Sequence, residues 1–255
     1  MNRPDYDALR RTSWSQLKWL AVSPAHYRWH LDNPPEQTDA MRLGSAFHGL
    51  TLEPEQFDSQ FALWDGPRRA GKIWEDFEAA HAKECILTLA QYDLASAMAS
   101  AARATPEVVG LMAFTGQAEH TVEGEHLGVQ LKGRLDWLST GVIVDLKSTK
   151  DTTPRAFGRQ MAQSGVLSQL ALYRHLVRNE SDCYLIAVEN KAPHTVCVYR
   201  LTEQQLSRGW EVVEQLLAKL KLCEESDYWP GPSVGVRELE VGDWQLDQLC
   251  EVDDG

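Results

Sequence analysis

The chain has 255 residues, of which 43% are hydrophobic, and its formal net charge is −12. This length and apolar content fit one sizeable α/β domain, or a core domain with a helical elaboration. No apolar run approaches the roughly 18 residues of a membrane span. The N-terminus lacks the hydrophobic core of an export signal, and the negative charge is the wrong sign for a protein that coats DNA non-specifically. We therefore expect a cytoplasmic protein without membrane contact.

Cysteine spacing argues against two kinds of metal site. The five cysteines are scattered along the chain, at Cys85, Cys183, Cys197, Cys223 and Cys250. No two of them have C-x-x-C spacing, which argues against zinc and against an iron–sulfur cluster. Reduced thiols in a cytosolic protein are the expected state.

The first part of the chain, residues 1–115, is predicted to be mainly helical. Periodicity and Pro/Ser start signals predict helices over residues 13–31 (with a second start at Pro24), 40–52, 54–58, 71–83, 88–104 and 106–114. The helix over 40–52 contains Gly44, Ser45, Ala46 and Gly49, and these small residues allow another backbone to approach closely.

The second part, residues 116–222, is predicted to form the sheet. Alternation over 117–131 predicts a hairpin around residues 123–125, and a second hairpin follows over 133–149. A helix then runs from Pro154 to about Val177 with an interruption at residues 164–165. Two strands at 183–189 and 195–201 and a helix from Thr202 to about Leu222 complete the order. The prediction is a mixed α/β sheet with flanking helices in a single domain, followed by a tail over 223–255.

The second hairpin carries acids that packing does not need. Asp136 lies in the apolar run 134–138, and Asp145 lies with Lys147 in the run 142–147. A carboxylate in a buried strand is costly unless it is paired or metal-bound. Side chains alternate along a strand, so Asp145 and Lys147 share a face that Asp136 can reach across the hairpin. A lone D-x-K usually marks a solvated face, but two hard oxygen donors beside a lysine favour a Mg²⁺ site.

Four further side chains are candidates only as a set. His48 lies on an apolar helix, where a histidine is more often part of the core, and Glu119 lies on a strand, where a glutamate is usually just exposed. Gln169 and Tyr173 are four residues apart and share one helix face. The order of these residues along the chain, together with the hairpin, is what makes them informative.

In this order the motifs resemble the PD-(D/E)-x-K nuclease superfamily, and within it the RecE-type (exonuclease VIII-like) exonucleases of phages and prophages. The resemblance covers roughly residues 13–232. It rests on the segments 13–17, 23–27, 42–48, 52–55, 71–72, 132–136, 145–149, 169–173 and 188–193. Two departures are present: Leu135 stands at the proline of the superfamily name, and the second acid is Asp145 rather than glutamate.

The resemblance implies a metal centre. Asp136 and Asp145 would be the central metal ligands, with the Leu146 carbonyl as another. His48 would bind the metal or position its water, and Lys147 would orient or deprotonate the attacking water.

The resemblance also implies roles around that centre. Glu119 would support a second metal or Lys147, and Gln169 and Tyr173 would hold DNA or brace the site. Arg42, Ser45 and Thr149 stand beside motif residues and could bind a terminal phosphate, although capping or surface placement explains these three residues equally well.

The implied activity is a Mg²⁺-dependent exonuclease, with Mn²⁺ as a substitute, that degrades linear double-stranded DNA 5′ to 3′ and leaves 3′ single-stranded ends for annealing-type recombination. A RecB- or Cas4-like nuclease, an endonuclease on the same core, and an inactivated fold that only binds DNA remain alternatives. The resemblance further implies a bacterial or phage-infected cytoplasm and a ring-shaped homo-oligomer, a tetramer rather than a trimer. It also implies an annealing protein as partner, which the acidic residues Glu251, Asp253 and Asp254 would face.

Overall fold

A computed structural model of the chain describes residues 3–113, 115–232, 235–236, 238–239 and 241–242. Within these ranges the strands are Ala62–Trp64 (β1), Ile86–Thr88 (β2), Gly116–His126 (β3), Val129–Ser139 (β4), Val142–Thr149 (β5), Asp182–Glu189 (β6) and Val196–Arg200 (β7). The α-helices of the same ranges are Arg3–Ala8 (α1), Trp14–Leu17 (α2), Trp19–Val22 (α3), Pro24–Asp32 (α4), Asp39–Leu52 (α5), Phe57–Gln60 (α6), Lys72–Ala80 (α7), Leu89–Ala104 (α8), Pro106–Met112 (α9), Pro154–Ser164 (α10), Val166–Val177 (α11) and Glu203–Ser226 (α12).

The predicted mixed sheet is confirmed. Its five strands lie in the order β3-β4-β5-β6-β7. Within this sheet β5 and β6 are parallel, and the other neighbouring strands are antiparallel. A parallel pair needs a crossover connection, which α10 and α11 supply. The predicted interruption of that helix is present, because Gly165 adopts the left-handed conformation between the two helices.

Helices cover both faces of the sheet. One core joins α11 and α12 to residues such as Ile143 of β5, and the other joins α5 and α8 to Val144 and Leu146. Successive residues of β5 thus alternate between the two cores, as the two-residue period of a strand requires. A strand buried on both faces has no solvent-facing side, so its aspartate, Asp145, is stable there only with a charged partner or a metal ion.

The prediction of a turn around residues 123–125 is wrong. Glu123 pairs with Lys132 inside the β3–β4 ladder, and the strands reverse at Leu127 and Gly128. Both turn residues have positive φ, 52° and 79°. A two-residue hairpin needs that backbone conformation, and Gly128 adopts it without steric cost.

Two further differences concern the ends of the predicted core. The small parallel sheet of β1 and β2 was not predicted, because strands of three residues show no periodicity. Helix α12 continues to Ser226 rather than ending near Leu222, since Cys223 extends its buried face. The single-domain division stays a prediction, and Glu251, Asp253 and Asp254 lie outside the described residues. None of the helices in the described part of the chain has the length and hydrophobicity that a membrane crossing requires.

Candidate metal centre

The ladder between β4 and β5 opens at Asp136. Three residue pairs join the strands, from Ser139↔Val142 to Trp137↔Val144. The same register would next place Asp136 opposite Asp145, but the two strands do not pair there. Leu135 packs in one core and Trp137 against the other, although residues two apart on a strand normally share a face. The β5 backbone beyond Val144 therefore lacks its β4 partner.

Side chains take over the backbone groups that the opening exposes. Asp136 Oδ2 accepts a 2.7 Å hydrogen bond from the Leu146 N–H. The Leu146 carbonyl lies 3.0 Å from His48 Nε2 and accepts a 3.3 Å hydrogen bond from Lys147 Nζ. Buried backbone groups need such partners. Leu146 thus lies at the centre of the predicted site residues.

Helix α5 brings His48 to this opening across 98 positions of sequence. Its neighbours Ala46 and Phe47 are fully buried in the core beneath the sheet, which fixes the helix against β5. His48 Nδ1 lies 3.4 Å from Asp136 Oδ1. Burial lowers the pKa of His48, but the adjacent Asp136 carboxylate outweighs burial and the net shift is upward. The histidine therefore pairs with the acid, and its predicted role as a metal ligand stays a prediction.

Asp145 and Lys147 share a face, as the strand period predicts. Lys147 Nζ lies 2.5 Å from Asp145 Oδ2, and the Asp145 side chain is only 2% exposed. Burial raises the pKa of Asp145 to about 6, against the opposing charge of Lys147. Burial lowers the pKa of Lys147, but Asp145 and Asp136 together shift it upward. Lys147 therefore carries its proton.

Glu119 lies on β3, opposite Asp136 of β4. It lies between the pairs Ala118↔Trp137 and His120↔Leu135 and has a φ of 48°. Ligand atoms of His48, Glu119 and Asp136 all lie within 4.8 Å of one another. This compact set shares Asp136 with the predicted central pair of metal ligands, but it contains Glu119 and His48 in place of Asp145.

An arginine that the sequence analysis did not single out holds Glu119. Arg134 Nε lies 2.6 Å from Glu119 Oε2. Arg134 is two residues before Asp136 on the same strand, and this spacing could have identified it. Each of three carboxylates thus has one basic side chain beside it: Asp136 has His48, Asp145 has Lys147, and Glu119 has Arg134.

The donor set fits a small divalent cation. Carboxylate oxygens are the ligands that Mg²⁺ and Mn²⁺ prefer, and an imidazole is compatible with Mn²⁺. His48, Glu119 and Asp136 would hold the ion, with Asp145 adjacent. The paired cations offset the mutual repulsion of the carboxylates in the metal-free protein.

Gln169 and Tyr173 contact each other on α11. Gln169 Nε2 donates a 2.8 Å hydrogen bond to Tyr173 Oη. The Tyr173 ring packs on β4 at Gly133, where an added Cβ would lie 2.7 Å from the ring. Burial raises the pKa of Tyr173 well above its usual range, so the hydroxyl stays neutral. A contact of this pair with DNA stays a prediction.

Two of the three predicted phosphate ligands already have internal partners. Arg42 is buried, donates a 2.9 Å hydrogen bond to the Lys83 carbonyl and pairs with Asp39 at 3.2 Å. Thr149 Oγ1 is buried and lies 2.7 Å from Gln160 Oε1. Ser45 is exposed on α5, one turn before His48. Phosphate binding by Arg42, Ser45 and Thr149 stays a prediction.

Comparison with known proteins identifies a family and a fold. The model of a family described as "PDDEXK-like domain of unknown function (DUF3799)" matches residues 13–237. A crystal structure described as a "putative exonuclease" from Eubacterium rectale aligns with a TM-score of 0.67, 16% identity and 99% coverage of both chains, a likeness that shows the fold. A structure described as SSO0001 has 18% identity over 49% of this chain and 65% of its own, and its TM-score of 0.28 is too low to indicate a shared fold. No curated protein matches the sequence.

Proposed function

Because the chain belongs to this PDDEXK-like family, we propose that it is a Mg²⁺-dependent exodeoxyribonuclease that degrades linear double-stranded DNA. The observation that carries the proposal is the cluster of His48, Glu119 and Asp136 at the opening of the β4–β5 ladder, in a nuclease fold. The RecE-type resemblance supplies the exonuclease mode, the 5′-to-3′ polarity and the 3′ single-stranded product for annealing.

The residues of the cluster divide the chemistry between them. When bound, a divalent cation neutralises charge on the phosphate and lowers the pKa of water. In the metal-free protein Asp145 raises the pKa of Lys147 against the effect of burial, which favours the protonated amine. A protonated amine cannot accept a proton, which favours water orientation and phosphate neutralisation over deprotonation as its role. The hydrogen bond from the Leu146 N–H orients the Asp136 carboxylate and leaves Oδ1 on the side of His48.

Charge balance favours an anionic substrate. The three carboxylates and their three cations cancel when His48 is protonated. Binding a divalent ion with loss of the His48 proton would leave one net positive charge. A scissile phosphodiester carries one negative charge and would restore neutrality.

Digestion of linear duplex DNA labelled at one 5′ end, with Mg²⁺ and with EDTA, tests the proposal. Release of labelled mononucleotides or short products from the start of the reaction, in Mg²⁺ only, is the expected result. Asp136→Asn should abolish the release. Cleavage of a closed circular duplex would instead identify an endonuclease, and Mg²⁺-independent DNA binding without cleavage would identify an inactivated fold.

The quaternary structure and partners belong to the same proposal. A ring replaces affinity with topology, since DNA threaded through a closed channel does not easily dissociate, and head-to-tail interfaces that close make rings. We expect a homotetramer rather than a trimer and an annealing protein as partner. Light scattering that finds a monomer at micromolar concentration, in a protein that digests DNA processively, would contradict the ring.

A further inference from the structure

Glu119 is held in a backbone conformation that a glutamate rarely adopts. Its φ of 48° lies in the left-handed region, which is uncommon for residues other than glycine. The β3–β4 register is the same on both sides of it, from Ala118↔Trp137 to His120↔Leu135. The departure is thus local to the residue opposite Asp136, and something must hold it there.

Arg134 is the side chain that contacts Glu119 most closely. Its Nε lies 2.6 Å from Glu119 Oε2, and the two side chains are only 15% and 23% exposed. A guanidinium is planar and presents its donors in a rigid fork. Here Nε makes the contact, so Arg134 anchors one oxygen of the Glu119 carboxylate and compensates its charge. Arg134 Nη1 is buried without a hydrogen-bond partner among the described residues. A buried donor without a partner is unfavourable, so the burial of this guanidinium depends on its contact with Glu119.

We propose that Arg134 is the positioning residue of the metal centre. By holding Glu119 Oε2, it keeps the Glu119 carboxylate among the ligand atoms of His48 and Asp136. The inference rests on the proposed metal-dependent function and adds a residue to it. Arg134 itself acts only through Glu119.

The physical reason is the repulsion between neighbouring acids. Without Arg134, the Glu119 carboxylate would face Asp136 uncompensated, and the strained backbone could relax and take Glu119 out of the cluster. Loss of a group that orients a metal ligand typically weakens metal affinity about 10- to 100-fold. That loss should appear before any DNA is added.

Mn²⁺ titration of the DNA-free full-length protein by calorimetry is the test. Arg134→Gln should weaken Mn²⁺ binding about 10- to 100-fold. Arg134→Lys keeps the charge but lacks the fork, so it should restore part of the affinity. The matched control is Arg174→Gln, because Arg174 makes a similar ion pair with Glu203 at 2.8 Å between α11 and α12. The control should bind Mn²⁺ as the wild type does.

A double-mutant cycle separates positioning from a general structural effect. In a Glu119→Gln background, Arg134→Gln should cause no further loss of Mn²⁺ affinity, because the residue it positions is gone. Wild-type affinity in Arg134→Gln, or losses that multiply in the double variant, would overturn the inference. If Arg134→Gln does not fold, as judged by thermal unfolding in EDTA, the same cycle is run with Arg134→Lys.

The outcome is independent of nuclease activity. A coupled loss of Mn²⁺ affinity in a protein that cleaves no DNA would refute the proposed function and leave the role of Arg134 standing. Mg²⁺-dependent cleavage by a protein whose Mn²⁺ affinity ignores Arg134 would refute the inference alone.

Discussion

The two edges of β5 differ although they belong to one strand. Toward β6, eight consecutive parallel pairs run from Val142↔Asp182 to Thr149↔Glu189. Toward β4, pairing stops after three residues. There the Leu146 N–H and carbonyl form hydrogen bonds with the side chains of Asp136 and His48 instead. The continuous edge holds the strand in place, and the open edge presents it to side chains from β4 and α5.

The difference shows how a fold can bear a costly site. The open edge concentrates buried carboxylates, each of which is unfavourable away from water unless paired. The continuous edge is formed with fully buried apolar residues of β6, among them Ile186 and Val188. Substitutions at the open edge should therefore change activity, and substitutions at the continuous edge should change stability.

The largest effect is expected at the open edge. Asp136→Asn keeps an oxygen for the Leu146 N–H but removes the charge that a metal needs, and we expect cleavage to fall by about 10⁴-fold. The measurement is the rate of digestion of end-labelled duplex at saturating Mg²⁺. Asp182→Asn is the control, because the Asp182 side chain forms an ion pair with Arg200 of β7. Full activity of Asp136→Asn would remove Asp136 from the metal site.

Lys147→Ala should lower the single-turnover rate by about 10²-fold while DNA affinity changes little. A loss felt mainly in the transition state appears in kcat. Rapid-quench cleavage gives the rate, and fluorescence anisotropy in Ca²⁺ gives the affinity. A collapse of affinity with a preserved rate would make Lys147 a phosphate anchor only.

At the continuous edge, Ile186→Ala should cost about 2–5 kcal/mol of stability, because Ile186 is fully buried between α8 and the sheet. The specific activity of the folded fraction should remain that of the wild type. Urea unfolding and a cleavage assay on the same preparation measure the two effects. An activity loss beyond the unfolded fraction would mean that the two edges are not separable.

The smallest effect is a pH dependence of the metal-free protein. Burial raises the pKa of Asp145 from 3.8 to about 6, so the folded state binds more protons than the unfolded state between these values. Stability in EDTA should therefore fall as the pH rises from about 4 to about 6. His48, with a raised pKa, acts in the same direction at higher pH; Asp136, with a lowered pKa, acts oppositely below about 4.

The pH dependence is measured as thermal unfolding across that range, and Asp145→Asn should flatten the curve. A variant whose curve matches the wild type would show that the pKa of Asp145 is not raised in the metal-free protein.

Much of this contrast was readable from the sequence. The two-residue period placed Asp145 beside Lys147, and the small residues of α5 indicated the approach of His48 to the sheet. The break at Gly165 followed from local signals, and the mixed sheet followed from the order of the predicted elements. Each of these elements is marked by a window of a few residues.

What the sequence did not show depends on contacts between distant segments. Alternating apolar residues hid the turn at Leu127 and Gly128, since Leu127 continues the strand pattern. The opening of the ladder at Asp136 and the left-handed Glu119 leave no mark in the residue pattern. The spacing of Arg134 from Asp136 puts the two residues on one face of β4, but only the fold brings Arg134 to Glu119.

The most direct test of the central claim is an anomalous diffraction map of a crystal of the full-length protein soaked in Mn²⁺. The account predicts a peak at the open edge of β5, with His48, Glu119 and Asp136 ligand atoms at about 2.1 Å, and loss of that peak in Asp136→Asn. A well-ordered site without a peak at high Mn²⁺, or a peak elsewhere that survives Asp136→Asn, would contradict it.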